Sequence, residues 1–290
     1  MGKFTGILIV SDVDGTFLSK NIESLKKNLV AVEKFKEQGG KFAFATGRDL
    51  NALLEVIPEA ANIANAPVIL ANGAQLYDFA DEKNIYECPI NNRKLLAEII
   101  NIVYELYPQG GVRFSCEHNM IIPDFTDILK KDMQAVSLPK MRILETTLDE
   151  LINSDIKIYK CVIVNTPENL ENIRKISADI DKDGELYFSK SYLHGLEAVD
   201  KNGTKGQAIR WLKNYINAEK SFAIGDYEND IEMLKAADCS AAPKNALEQV
   251  RQAAKIITAG CDEGAVADLI DILNHDCTAA NGYANACDES

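Results

Sequence analysis

The segment from Ile7 to Thr16 constrains this chain more than any other. It reads Ile-Leu-Ile-Val-Ser-Asp-Val-Asp-Gly-Thr, so four apolar residues lead into two carboxylates and a Gly-Thr turn. A short, continuous apolar run predicts a strand that is buried on both faces, as in parallel sheets. Open α/β sheets bind their ligands at the carboxyl ends of such strands. Asp12 and Asp14 are two residues apart, so in an extended segment both project to the same side.

Two carboxylates in one small volume repel each other, and a cation between them relieves that repulsion. A strand that ends in such a pair therefore suggests a metal or phosphate site. The same pattern is also compatible with an acidic turn that has no chemical role, because Asp and Gly are common in turns. Other parts of the chain decide between these two interpretations.

Composition limits the classes of partner. The chain has 290 residues and a formal net charge of −13, and this acidity argues against nucleic acid, whose phosphates are bound by clustered Lys and Arg. No apolar run approaches the ~20 residues of a membrane span, and we see no signal peptide. Seven cysteines without a close Cys-x-x-Cys pair are typical of reduced thiols. We therefore expect a cytoplasmic protein that binds neither nucleic acid nor membrane.

The order of predicted elements favours an α/β fold for the two ends of the chain. Strands and helices alternate there, which predicts parallel strands joined by right-handed crossovers. The predicted strands lie at 7–10, 41–45, 67–71, 221–224, 239–242 and 255–258. The predicted helices lie at 21–38, from 49 to about 58, and at 203–216, 230–237, 245–253 and 263–273.

The middle of the chain has a different pattern. It predicts a hairpin around 76–86, helices at 92–107, 124–136 and from 167, and short strands at 112–122, 157–164, 186–188 and 196–199. Several strands with few helices indicate a separate α+β unit, and the chain is long enough for two units. We predict a core at 1–83 and 189–275, an inserted α+β domain at 84–188, and a flexible tail at 276–290.

Polar side chains collect in four turns that follow predicted strands or begin helices. These turns contribute Asp12 and Asp14, then Thr46, then Lys205, and finally Asp226, Asn229 and Asp230. If one sheet edge gathers them, it holds acids, a hydroxyl, an ammonium and free backbone N–H groups. Such a set suits phosphoryl transfer, in which a carboxylate attacks and cations stabilise the developing charge. Hard oxygen ligands without a His or Cys cluster favour Mg²⁺ over Zn²⁺.

Each turn alone also has an ordinary explanation. Thr46 precedes a glycine, as many turn residues do. Lys205 lies near a helix start, where the helix dipole favours acids instead. The segment from Gly225 to Asp230 could cap a helix, although it has more acids than a cap requires. The four turns in this order are far more specific than any one of them.

Taken together, the motifs resemble those of the haloacid dehalogenase superfamily, and in particular its Cof-type phosphatases with a IIB cap. The four matching motifs are Asp12-Val-Asp14-Gly-Thr, Ala45-Thr46-Gly47-Arg48, Lys205 within Asn-Gly-Thr-Lys-Gly, and Gly225-Asp226-Tyr-Glu-Asn229-Asp230. Asn72-Gly73-Ala74 before the hairpin is also similar to the family. The resemblance covers the chain except its tail. It implies a Rossmann-like parallel-sheet core with an inserted α+β cap.

The resemblance also implies roles for individual residues. Asp12 would attack phosphorus, and Asp14 would protonate the leaving alkoxide and then activate water. The phosphoryl oxygens would be held by Thr46, Gly47, Lys205 and Asn229. Mg²⁺ would be bound by Asp12, Asp226 and the backbone carbonyl of Asp14, with Asp230 orienting this shell or Lys205. The expected substrate contacts are Arg48 and Asn72 in the core, and polar cap residues such as Arg113, Glu117, His118, Lys190 and His194.

The sequence therefore predicts a Mg²⁺-dependent phosphatase for phosphorylated small molecules, with sugar phosphates as the favoured substrates. Two alternatives remain open at this point. One is a phosphomutase of the phosphomannomutase type on the same scaffold. The other is a phospho-accepting signalling module that resembles a response-regulator receiver, although the long insertion argues against it. We expect a monomer or a small homo-oligomer.

Overall fold

The computed structural model describes residues 2–117, 119–135 and 142–276. The strands are β1 Ile7–Ser11, β2 Lys41–Phe44, β3 Val68–Leu70, β4 Gln75–Asp78, β5 Lys83–Glu87, β6 Gly111–Cys116, β7 Asn119–Asp124, β8 Arg142–Glu145, β9 Ile158–Val164, β10 Leu186–Tyr192, β11 Gly195–Asp200, β12 Lys220–Ile224, β13 Cys239–Pro243 and β14 Ile256–Thr258. The helices are α1 Ile22–Glu37, α2 Leu50–Val56, α3 Ala60–Ile63, α4 Arg93–Leu106, α5 Asp127–Ala135, α6 Leu148–Ile152, α7 Pro167–Ile180, α8 Lys205–Tyr215, α9 Ile231–Ala236, α10 Glu248–Ala253 and α11 Ala265–Asp276. The predicted tail beyond Asp276 lies outside the described residues.

The core is a five-stranded parallel sheet in the order β14-β13-β12-β1-β2. Strand β1 has a hydrogen-bonded neighbour on each side, and all its residues are buried. Its apolar residues serve both faces: Ile7 and Ile9 pack with the residues of α1 and α11, whereas Leu8 and Val10 pack with those of α8 and α9. The predicted α/β class is therefore confirmed, and the fully apolar run of β1 is explained by its two covered faces.

Strand β3 agrees with the prediction in direction and differs from it in extent. The segment at 67–71 was predicted as a third parallel strand, and it joins β2 through an isolated parallel bridge, Ala45 to Ile69. The full ladder of β3 is antiparallel, with β4, in a three-stranded sheet β3-β4-β5. The reason is the turn after β3, where Ala71 and Asn72 adopt φ values of 48° and 61° and reverse the chain.

The inserted unit is built on a six-stranded sheet in the order β10-β11-β9-β6-β7-β8. Its pairs are antiparallel except for β7 with β8. Apolar residues of α4, α6 and α7 pack on one face of the sheet, and α5 packs on the other. This unit is the predicted α+β cap.

The predicted domain boundaries at 84 and 188 both fall inside strands. Residue 84 lies in β5, which pairs with β4 on the core side, and residue 188 lies in β10, which forms a hairpin with β11 in the cap sheet. The chain returns to the core only after Asp200, whose carboxylate accepts hydrogen bonds from the backbone and side-chain N–H groups of Asn91, at 3.3 and 3.1 Å. We therefore assign 91–200 to the cap. Sequence patterns missed this boundary because β10 and β11 are short strands that carry no mark of which sheet they join.

No described helix has both the length and the apolar character needed to cross a lipid bilayer.

Asn28 ties the segment after Asp12 to the helical layer. This fully buried residue of α1 donates a hydrogen bond of 2.9 Å to the carbonyl oxygen of Phe17. It accepts another of 2.9 Å from the backbone N–H of Ala267, a first-turn group that has no partner within α11. The side chain thereby fixes the loop that follows the two carboxylates.

We predict that Asn28→Ala lowers the free energy of unfolding by about 1–3 kcal/mol, because a buried carbonyl and a buried N–H lose their partners. Urea denaturation monitored by circular dichroism measures the change. Lys26→Ala on the same helix is the control, because it removes only an exposed ion pair with Glu23 and should change stability by less than about 0.5 kcal/mol. Equal stability of the two variants would contradict this role of Asn28.

Candidate active site

The site is organised around Asp12, at the carboxyl end of β1. Its carboxylate accepts a hydrogen bond of 2.6 Å from the Lys205 ammonium. Lys205 is the first residue of α8, follows the N-cap Thr204, and is fully buried. The same ammonium donates a hydrogen bond of 2.7 Å to the carboxylate of Asp230. Residues separated by 193 positions along the chain therefore meet in one ion-paired cluster.

Asp230 holds the loop after β12 in place. Its second carboxylate oxygen accepts hydrogen bonds from the backbone N–H groups of Asp226 and Tyr227, both at 3.0 Å. This contact closes the turn that brings Asp226 back towards β1. The Asp226 carboxylate accepts a hydrogen bond of 2.9 Å from the hydroxyl of Thr16. The sequence Gly225 to Asp230 thus forms a structured turn that directs Asp226 and Asp230 towards the strand ends.

Gly15 allows Asp226 to approach so closely. Its φ of +81° is in the left-handed region, and a Cβ atom there would lie 2.4 Å from a carboxylate oxygen of Asp226. No other residue type fits both the conformation and the space. Gly15 of the first motif therefore leaves the space that Asp226 of the fourth motif occupies.

Asp12, Asp226 and Asp230 form a group whose ligand atoms lie within 4.8 Å of one another. Three carboxylates face a single lysine, so the cluster has excess negative charge. Burial raises the pKa of Asp12 well above its usual value. Burial, with Asp230 adding to it, raises the pKa of Asp226 to about 7. Burial would lower the pKa of Lys205, but the two carboxylates that it contacts outweigh this and raise it.

This donor set fits a hard divalent cation. The oxygen-only composition is the one that Mg²⁺ prefers, and the elevated carboxyl pKa values mark where additional positive charge would be stabilising. Asp12 and Asp226 would be among its ligands. The backbone carbonyl of Asp14, which the sequence also predicted as a ligand, stays a prediction.

The second motif follows β2 and lies beside this cluster. Thr46 is buried, and its hydroxyl oxygen accepts a hydrogen bond of 3.1 Å from the backbone N–H of Arg48. The Arg48 guanidinium forms two hydrogen bonds with the Asp14 carboxylate, at 2.7 and 2.8 Å. The Asp14 side chain is 53% exposed, unlike the buried carboxylates of Asp12 and Asp230.

A cavity of about 470 Å³ separates the core from the cap. Its core wall includes the predicted site residues Asp12, Asp14, Thr46, Gly47, Arg48 and Asn229. Its cap wall includes Arg113, Ser115, Met120, Lys160, Ser191, Tyr192 and Glu197. Lys205, Asp226 and Asp230 are not among the lining residues and lie behind Asp12. Asp12 is therefore the member of the acidic group that faces both the cavity and the buried lysine.

Asn72 is placed differently from the expectation that it contacts substrate. It is 3% exposed and is not among the residues that line the cavity. Its side-chain oxygen accepts a hydrogen bond of 3.1 Å from Asn229, and its side-chain nitrogen donates a hydrogen bond of 2.7 Å to Glu197. Both ends of the amide are thus engaged by protein groups.

Of the cap residues that were suggested by sequence and that the structure describes, Arg113 alone is among those that line the cavity. Glu117 lies 3.7 Å from Lys157, Lys190 pairs with Glu171 at 2.5 Å, and a ring nitrogen of His194 lies 3.4 Å from the carbonyl oxygen of Asn165. His118 is outside the described residues.

Sequence reasoning missed Lys160 and Glu197, which form a buried ion pair of 2.7 Å on the cap wall. The available signal was a lysine inside the otherwise apolar strand Ile-Tyr-Lys-Cys-Val-Ile-Val.

The fold and the site together define a class: a parallel α/β core, with an acidic cluster at the end of its central strand, below an inserted α+β cap. The haloacid dehalogenase-like hydrolase family matches residues 9–270. The chain belongs to this family.

Individual relatives extend the comparison. "Putative phosphatase MG265" of Mycoplasma genitalium is 27% identical over an alignment of 267 residues, which covers 86% of this chain and 91% of that protein. The 5-amino-6-(5-phospho-D-ribitylamino)uracil phosphatase YwtE of Bacillus subtilis is 23% identical, with 91% of this chain and 97% of that protein aligned. Among solved structures, the HAD subclass IIB sugar phosphatase BT4131 superposes with a TM-score of 0.76 at 22% identity, over 92% of this chain and 98% of that one. The last likeness shows the shared fold of core and cap.

We predict that Lys205→Met destabilises the metal-free protein in a pH-dependent way. Without the ammonium, the pKa of Asp12 in the folded state rises further above its unfolded value. Stability from such groups is present at low pH and is lost as the pH rises. The deficit relative to the unsubstituted protein should therefore be small at pH 5 and reach about 3–5 kcal/mol at pH 8.

Denaturation in the presence of a chelator at both pH values measures this difference. Lys213→Met, on the same helix, is the matched control, because its ion pair with Asp238 is partly exposed and should be worth less than about 1 kcal/mol at either pH. A deficit of equal size at pH 5 and pH 8 would show that Lys205 does not neutralise the acidic group.

Proposed function

We propose that this protein is a Mg²⁺-dependent phosphatase that hydrolyses phosphate monoesters of small metabolites, with sugar phosphates as the substrate class. The observation that carries the proposal is the contact of Asp12 with Lys205 on one side and with the cavity between core and cap on the other. A nucleophile needs this arrangement, because its carboxylate must be held in place and yet reach the substrate. Membership of a hydrolase family and the names of the relatives support the same activity.

In the proposed reaction, an oxygen of Asp12 attacks phosphorus, and the bond from phosphorus to the leaving alkoxide breaks. The resulting aspartyl phosphate is then hydrolysed by water, which returns free phosphate and the Asp12 carboxylate. Mg²⁺, when bound by Asp12 and Asp226, would neutralise charge on the phosphoryl oxygens. Lys205 holds Asp12 in position and supplies a fixed positive charge behind it.

Asp14 is suited to proton transfer, because its side chain extends into the cavity beyond Asp12. An alkoxide leaving group needs a proton as its bond to phosphorus breaks, and the same carboxylate can later accept one from water. In the substrate-free structure the Asp14 carboxylate is held by Arg48. We infer that the substrate takes over Arg48 and thereby releases Asp14 for this role.

The phosphoryl group itself would be held by the core wall of the cavity. Thr46 contributes a hydroxyl, Gly47 a backbone N–H, and Asn229 a side-chain amide, and all three residues line the cavity. The fixed positions of these donors reduce the reorganisation needed when charge develops on the phosphoryl oxygens.

The proposed substrate class follows from the cap wall. Ser115, Ser191 and Tyr192 supply hydroxyl groups, and Arg113 adds a charged donor. A neutral leaving group with many hydroxyls would be recognised by such a mixture, and the cavity has the size of a small-molecule site. Two relatives are named for phosphorylated compounds with a ribityl chain or for sugar phosphates.

The sequence left two alternatives open, a receiver-like signalling module and a phosphomutase. A receiver-like signalling module is not supported, because the chain carries a cap of about a hundred residues and belongs to a hydrolase family. A phosphomutase shares the proposed covalent step and differs in its product. Detection of free phosphate supports the phosphatase, whereas an isomerised sugar phosphate with no phosphate release would support the mutase.

We predict that the protein releases phosphate from p-nitrophenyl phosphate with Mg²⁺ and that a chelator abolishes this activity. Asp12→Asn should lower kcat at least about 1000-fold, because no covalent intermediate can form. Asp14→Asn should lower kcat on sugar phosphates by about 100- to 10,000-fold, and less on the aryl ester, whose leaving group needs little protonation. Glu33→Gln, an exposed change on α1, is the control.

A panel of phosphorylated metabolites in the same assay tests the substrate class. The proposal expects the highest kcat/KM values among sugar and polyol phosphates. Full activity of Asp12→Asn, or activity that is indifferent to the chelator, would overturn the mechanism, and a preference for nucleotides would overturn the substrate class alone.

A further inference from the structure

The buried pair Lys160–Glu197 has no role in the reaction described so far. Lys160 lies on β9 and Glu197 on β11, where it is paired with Val162. Lys160 is two residues from Val162 on the same strand, so both charged side chains project from the same face of the cap sheet. Both residues are at least nine-tenths buried, and their charged ends are 2.7 Å apart.

Stability alone does not account for this pair. Two charges taken out of water lose hydration that their mutual attraction only partly restores, and apolar residues of similar size are often as good or better. The contacts that the two side chains make outside the cap sheet are therefore informative.

Both side chains cross from the cap to the core. The Lys160 ammonium donates a hydrogen bond of 2.7 Å to the carbonyl oxygen of Gly47, the residue that follows Thr46. The second carboxylate oxygen of Glu197 accepts a hydrogen bond of 2.7 Å from the side-chain nitrogen of Asn72. The side-chain oxygen of Asn72 in turn accepts a hydrogen bond of 3.1 Å from the side-chain nitrogen of Asn229. A continuous chain of hydrogen bonds therefore runs from the second motif, through the cap pair, to the fourth motif.

The core end of this chain is conformationally demanding. Asn72 has a φ of 61°, a left-handed conformation that costs free energy in a residue other than glycine. A Cβ atom on Gly47 would lie 2.9 Å from the side-chain oxygen of Asn72. The loops that carry Gly47 and Asn229 are thus packed against one amide, and Glu197 fixes the other end of that amide.

We propose that Lys160 and Glu197 are positioning residues that set the distance between the two phosphate-binding loops of the core from the cap. This inference rests on the proposed phosphatase function and deepens it. Contact of the cap with the core then does more than cover the cavity: it completes the arrangement of Thr46, Gly47 and Asn229 around the phosphoryl group. The pair acts on the phosphoryl end of any substrate, whatever its leaving group.

The test begins with Glu197→Gln and Lys160→Met. In Glu197→Gln, one amide N–H group must face either Lys160 or the side-chain nitrogen of Asn72, so one link of the chain breaks. We expect kcat to fall on the order of 100-fold, the effect of a small misplacement of reacting groups, with KM changed less than about threefold. The loss should be the same for p-nitrophenyl phosphate and for a hexose phosphate. A loss confined to KM and to the hexose phosphate would overturn the proposal and make the pair a leaving-group contact.

A double-mutant cycle with Asn72→Ala tests the route of the effect. If Glu197 acts through Asn72, the combined variant should lose no more kcat than the more damaging single variant, because one chain can be broken only once. Multiplicative losses would overturn this route. Lys157→Met is the matched control: it removes the same charge three residues earlier, from an ion pair with Glu87, and should keep kcat within about twofold.

Folding is separated from positioning by Lys160→Met combined with Glu197→Met. This variant removes both charges together, so no unpaired charge stays buried and its stability should fall less than that of Lys160→Met alone, yet kcat should stay low, because Gly47 and Asn72 have lost their partners. Full activity in this variant would overturn the proposal.

Calorimetric binding of inorganic phosphate in the presence of Mg²⁺ gives a second measure that needs no turnover. We expect about tenfold weaker binding in Glu197→Gln, and unchanged binding would contradict the inference. If the unsubstituted protein binds phosphate but hydrolyses no ester, the proposed function fails, while the comparison of phosphate affinities still decides the role of the pair.

Discussion

The rest of the site depends on the Lys205 ammonium, which lies between the carboxylates of Asp12 and Asp230. A charge buried this deeply is stable only with partners at hydrogen-bond distance. Its two partners come from different parts of the chain, one at the end of β1 and one in the turn after β12. The ion pairs therefore fix the loop of the fourth motif against the central strand, and they place Asp226 within reach of the same volume. One lysine for three acids leaves the cluster short of positive charge, which is the electrostatic reason for a divalent cation there.

The topology of the core makes this meeting possible. Strand β1 lies between β12 and β2, so the turns after all three strands open at the same edge of the sheet. The long insertion between β5 and α8 lies above that edge. Its sheet contributes a wall of the cavity and, through Lys160 and Glu197, two side chains that contact the core loops directly. Catalytic residues and cap residues are in this way parts of one hydrogen-bonded arrangement.

Much of this could be predicted from sequence because the core site is built from local signals. Asp12, Thr46, Lys205 and Asp226 each follow an apolar strand or begin a helix, and the parallel-sheet rule brings such positions together without further information. The cap site has no such rule. Which face of β9 carries Lys160, and whether Glu197 lies beside it, depend on the register between β9 and β11, and register is set by non-local packing.

The same reason explains where the predicted fold differs from the structure. The strand at 67–71 has the composition of a parallel neighbour and bridges β2 in parallel, but its full ladder is antiparallel, with β4. Asn72-Gly73 is a turn signal, but it does not tell which strand the following segment pairs with. Lys190 and His194 were reasonable guesses for substrate contacts from their polarity, yet each is engaged by a neighbour within the cap. Polarity identifies surface residues in the cap, but the fold decides which of them reach the cavity.

The central claim is that Asp12 is the group that accepts the phosphoryl group. Rapid acid quenching of the protein during turnover with Mg²⁺, followed by peptide mass spectrometry, tests it directly. The account predicts a mass increase of one phosphoryl group on the peptide that contains Asp12, assigned to that residue and lost in Asp12→Asn. A phosphoryl group on any other side chain, or steady hydrolysis with no trapped adduct in the first turnover, would contradict it.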